Sequence, residues 1–250
     1  MAGKIETYRS ILAGLSSWDD YLRRESGLPG PRGNLELAAA AAAEGNVTLF
    51  NRWAALDARQ APVGSQDEFL AFCGVLGWGR MLADGRAGYL PRLRRAASDS
   101  RGRIREAVAM ALQTYGAADM QALLRDVEGW ARGNPYERRA VVAGLCEPRL
   151  LRNPTHIRRV LRILDRVTSS VLKESDRAND GFRALRKGLG YCWSVAVTAL
   201  PQAGQPALEK WFVCEDRDIQ WIMRENLKKA RLARVDPGWV AKWKRKLAVA

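Results

Sequence analysis

The chain has 250 residues, 47% of them hydrophobic, enough to bury a sizeable core and too apolar for a disordered tail. Its formal net charge of +14 is uneven: residues 1–91 carry 9 basic and 10 acidic side chains, whereas 92–250 carry 32 and 17. No segment approaches the roughly 20 continuous apolar residues of a membrane helix, and the opening MAGKIETYRS lacks the apolar run of a signal peptide, so a soluble cytoplasmic monomer is expected, with no membrane partner.

In chain order, ILAGLSSWDDYLRRESG reads as helix, GLPGPRGN (27–34) as a loop rich in proline and glycine, and LELAAAAAAEGNVTLFNRWAAL as helix again. Residues 1–91 are expected to form degenerate or capping helical repeats continuous with the repeats C-terminal to them, although a domain boundary near 30 or near 64 stays open. From residue 99 the chain divides into helical segments separated by short breaks, without the period-two alternation of strands. The segments DSRGRIREAVAMAL, NPYERRAVVAGL, NDGFRALRKGLGYC and DRDIQWIMRENLKKA each open on a capping residue, bring bases into the first turns and continue along an apolar face. Between them lie ADMQALLRDVEGWAR, THIRRVLRILDRVTSSVL and PQAGQPALEKWFV. Asp99, Asn134, Asn153, Asp180 and Asp216 are the expected N-caps, and Pro135, Pro154 and Pro201 fit first-turn positions. Helix pairs recurring at about 35–45 residues predict an all-α fold, an α-solenoid with residues 92–250 as its basic repeats.

Cys73, Cys146, Cys192 and Cys214 lack paired spacing and read as free thiols. With His156 the single histidine, no metal site, no cofactor and no Cys-His or Ser-His nucleophile is expected.

The short paired helices, with Asp or Asn ahead of a second helix that begins with bases, resemble HEAT repeats over residues 99–235. Within that class, NPYERRAVVAGL and IQWIMRENLKKARLARVDPGWV are similar to bacterial HEAT-like proteins of the DNA alkylation repair group. The resemblance implies a concave basic surface that holds DNA and, in some members, excision of alkylated bases with the help of aromatic residues and an aspartate. That group's paired-tryptophan-plus-aspartate segment has no counterpart in this chain, and Glu225 stands where a catalytic tryptophan would fall. The expected protein is therefore a DNA binder without catalysis, with an acidic-protein scaffold and an alkylbase glycosylase as alternatives.

Residue geometry places the binding surface. If 217–234 is one helix, Trp221, Arg224, Lys228 and Arg231 fall within about 40° of Arg217, opposite a face of Ile219, Ile222, Met223, Asn226 and Leu227. On the preceding second helix Arg183, Arg186 and Lys187 share a side with Gly190 and Ser194, opposite Leu185, Leu189, Cys192 and Ala196. In a HEAT-like stack these stripes would align into a trough, extended by Arg138 or Arg139, that neutralises phosphates while Trp221 stacks on a base or a guanidinium. Alternatively the cations solvate the free helix sides and a neighbouring helix covers Trp221. Trp130, Trp193 and Trp211 read as packing residues, and Trp239 and Trp243, with their neighbouring bases, as part of a capping helix.

Overall fold

A computed structural model describes residues 2–248 and is all-helical, with no strand among the described residues. The chain forms two compact units, residues 1–118 and 119–250.

The first unit contains α1 (Ala2–Ala13), α2 (Asp19–Arg24), α3 (Leu35–Glu44), α4 (Val47–Ala54), α5 (Gln66–Ala83), α6 (Leu90–Ala96) and α7 (Gly102–Ala118). The alanine-rich segment read as one helix is two, because Asn46 caps a new start by accepting from Leu49 N–H at 3.0 Å. The core of this unit is α5, which sequence patterning left unassigned. Nearly all round it is buried, so it shows no polar stripe, and α2, α3, α4 and α7 pack on it. Small residues permit that crowding: a Cβ at Gly77 would overlap the Phe50 ring of α4, and one at Gly79 would lie 2.5 Å from Ala111 Cα of α7. The first unit extends to residue 118 because α7 packs along α5.

The second unit contains α8 (Met120–Asp126), α9 (Pro135–Leu145), α10 (Pro154–Val171), α11 (Asp180–Ala199), α12 (Pro201–Phe212), α13 (Arg217–Leu227), α14 (Ala230–Val235) and α15 (Pro237–Ala248), with a 3-10 turn at Trp130–Arg132. Its central element is α11, which contacts α9, α10, α12, α13 and α14 and buries Leu185, Leu189 and Trp193. Prolines 135, 154 and 201 occupy first turns, and Asn134, Asn153 and Asp216 cap their helices. The cap of α11 is Asn179, whose Oδ1 accepts from Phe182 N–H at 2.8 Å, so the expected cap Asp180 is instead the first helical residue. Trp130, Trp193 and Trp211 are core residues. Trp239 and Trp243 lie 5.6 and 4.6 Å from the Phe212 ring and donate to Glu209, which seats α15 on α12.

Cys73, Cys146 and Cys192 are buried free thiols, and Cys214 is half-buried. Burial pushes the Cys146 thiol up, and its hydrogen bond with Cys192 pushes it further. No described helix is long and apolar enough to cross a membrane, and no group of three or more described His, Cys, Asp or Glu side chains could hold a metal ion.

Candidate nucleic-acid interface

The second unit carries 26 basic and 15 acidic side chains, the first 15 and 12, so most of the excess charge lies in residues 119–250. There the candidate bases divide into those bound into packing and those that face outward.

Arg138 is packed inside. Only 7% exposed, it donates to Glu174 Oε2 at 2.5 Å and to Ser170 Oγ at 2.6 Å, tying α9 to the C-terminal end of α10. It therefore does not extend a surface row, since an arginine this desolvated needs the partners it has. Arg139 is half-buried, and its stem lies across Gly188 of α11.

Arg186 is also engaged. Its guanidinium carbon lies 4.0 Å from the Trp221 ring centroid, and its Nε is 2.9 Å from Oδ1 of buried Asp218. The same aspartate pairs with Arg177 at 3.0 Å and more loosely with Arg217 at 3.8 Å. Trp221 is thus half-buried in the α11–α13 seam, with Cζ3 3.1 Å from where a Cβ on Gly190 would stand. Gly190 and Ser194, expected on the solvent side, are buried because α13 covers them: the Asn226 Oδ1 accepts from Ser194 N–H at 2.8 Å, and its Nδ2 donates to Leu189 and Ile222 carbonyls.

Asp216 anchors this seam from the other end. Burial would raise its carboxyl, but the Arg177 guanidinium at 2.6 Å and the N–H groups of Ile219 and Asp218 outweigh that and hold it below the ordinary carboxylate range. Reciprocally, the hydrogen bond to Asp216 raises Arg177.

The outward bases are Arg183, Lys187, Arg217, Arg224 and Lys228. Arg183 is held toward the helix start by Asp180 and the Ala178 carbonyl, while Lys187 makes no ion pair among the described residues. Arg224 donates to the Leu247 carbonyl at 3.1 Å, and Lys228 pairs with Glu225 at 2.5 Å, giving that carboxylate a structural partner. Arg224, Lys228 and Lys244 surround a crevice of about 210 Å³ based on Leu227 and Leu247.

The expected single helix over 217–234 is two. It breaks at Lys228–Lys229, and the bend carries Leu232, which on an unbroken helix would stand about 80° from Ile222, into the core. Arg231 consequently leaves the Arg217 stripe and turns to α11, where its Nη2 donates to Tyr191 Oη at 2.6 Å and its guanidinium carbon lies 4.5 Å from the ring centroid.

Tyr191 was missed by sequence reading, although it is four residues after Lys187, which is itself four after Arg183, so all three advance along one side of α11. Beyond it opens a crevice of about 450 Å³, with Leu151, Val195 and Ala199 among its lining together with Lys229, Arg231 and Arg234. No acidic side chain lines it. Lys229 and Arg234 were also missed, because their joint position depends on the α13–α14 bend.

No protein-family model matches the chain, and no curated protein matches it. Among solved structures the chain is similar to the crystal structure of an engineered protein at 15% identity, covering 90% of this chain and 95% of that one with a TM-score of 0.34, a likeness too slight to identify the fold or the function.

Proposed function

We propose that the second unit is a HEAT-like stack in which α9, α11 and α13 form one row, and that the outward bases of α11 and α13 hold a nucleic-acid backbone, duplex DNA in the first instance, without chemistry of their own. The observation that supports this reading is the succession Arg183, Lys187 and Tyr191 on the exposed side of α11, leading to Lys229, Arg231 and Arg234 around an acid-free crevice. Spaced cations of this kind match the repeated charge of a phosphate backbone and favour binding through counterion release, with little dependence on sequence.

Arg158 and Arg162 of α10 are also exposed and fall outside this row, which favours an acidic protein as the second reading. The two readings part on salt dependence. Replacing Arg183 and Lys187 together with Ser should weaken binding to unrelated duplexes by similar factors and reduce the slope of log K against log salt by about 2, roughly one per lost phosphate contact. Fluorescence anisotropy at several salt concentrations measures this. An unchanged slope, or no duplex binding by the parent at low salt, shifts the assignment to the protein partner.

A further inference from the structure

We propose that the crevice beside Tyr191 receives an unpaired nucleotide, so that the protein binds DNA with unpaired bases in preference to continuous duplex. This rests on the nucleic-acid reading above but asks more of the surface. A protein that only neutralises phosphates has no use for apolar lining, yet Leu151, Val195 and Ala199 line the cavity that Lys229, Arg231 and Arg234 surround. The combination suits a ligand with an apolar body and an anionic group, and about 450 Å³ falls in the range of small-ligand sites. A nucleotide of the bound strand has both parts, provided its base has left the stack.

Tyr191 supplies the second element. It is 42% exposed, a large share for a residue with so much apolar surface, and it is held in place by the hydrogen bond from Arg231 and by that guanidinium against its ring. An exposed aromatic fixed among cations is the arrangement with which single-strand binders stack bases, irrespective of sequence. Duplex DNA offers its base faces only to neighbouring bases, so Tyr191 gains a partner only where pairing is interrupted. Thr198, on the same cavity, spends its hydroxyl hydrogen on the Ser194 carbonyl, leaving its oxygen free to accept from a base N–H. Arg234, exposed and without an ion-pair partner among the described residues, is placed for the phosphate of that nucleotide.

The test compares three labelled probes at one salt concentration: a 20-base-pair duplex, the same duplex with a three-nucleotide gap, and the single strand. The parent should bind the gapped and single-stranded probes about ten-fold more tightly than the duplex. Tyr191→Leu should erase that preference by weakening the gapped and single-stranded probes about ten-fold more than the duplex, and Tyr191→Phe, which keeps the ring, should retain it. Equal parental affinity for all three probes overturns the proposal and leaves backbone binding intact. Equal losses on every probe in Tyr191→Leu overturn it in the same way, provided the Tyr191→Phe and Tyr191→Leu proteins melt as the parent does; if Tyr191→Leu does not fold, the parental preference and Tyr191→Phe decide. Binding to none of the probes overturns both proposals.

Discussion

Among the bases of the second unit, the difference between Arg138 and Lys187 is one of surroundings. Both project from helices that pack together, yet Arg138 finds Glu174 and Ser170 and is withdrawn from water, whereas Lys187 meets no carboxylate among the described residues. Arg186 is intermediate, since its flat guanidinium covers Trp221 while Asp218 neutralises it. Asp216 shows what such pairing does to stability. Its native pKa is depressed, so between the native and ordinary values the unfolded chain binds the proton more readily, and acid favours unfolding. The contribution is fully present above the ordinary carboxylate value of about 3.9 and is lost as pH falls through the native one. Thermal melts from pH 7 to pH 2 should therefore show Asp216→Asn less stable than the parent at neutral pH, with the gap closing below about pH 4. A gap that is constant with pH would mean that the Arg177 pair contributes nothing through ionisation.

Among the elements, α11 and α13 are joined through backbone as well as side chains. Asn226, fully buried, accepts from Ser194 N–H and donates to the carbonyls of Leu189 and Ile222, using both ends of its amide in a place closed to water. Asn226→Ala should destabilise the protein by about 2–4 kcal/mol in urea unfolding, because it strands buried polar groups besides removing contacts. Asn226→Asp, which lacks the donors, should be no better. A loss below about 0.5 kcal/mol for either would show that the seam is held by Ile222 and Met223 alone. The helix periodicity in the sequence already put Asn226 on the inward face. What it did not show was that this amide reaches across to α11 and buries Gly190 and Ser194, because periodicity along one helix contains no information about the helix it meets. The break after Leu227 was hidden for a related reason: NLKKARLAR contains no residue that ends a helix, and burial of Leu232 decides the bend.

For the molecule as a whole, the charge difference between the units makes a separate expectation. The first unit has 15 basic side chains against 12 acidic and places many of them in ion pairs, including Arg23 with Asp67 and Arg52 with Asp19. Replacing its exposed Arg32 and Arg86 together with Ser should leave duplex affinity within about two-fold and the salt slope unchanged within about 0.5. A fall in slope as large as that expected for Arg183 and Lys187 would give the first unit phosphate contacts of its own.

Local interactions made the helical character, the proline first turns and the Asn134, Asn153 and Asp216 caps legible in the sequence alone, since each depends on residues within one or two turns. The charge excess was equally plain, being a property of composition. Tertiary structure decided the rest: that α5 is a core helix, that Arg138 and Arg186 are spent on packing, and that Tyr191, Lys229 and Arg234 stand together. Desolvation and pairing depend on what arrives from distant positions in the chain, so a base on an outward stripe becomes a surface base only when no carboxylate or ring is folded against it.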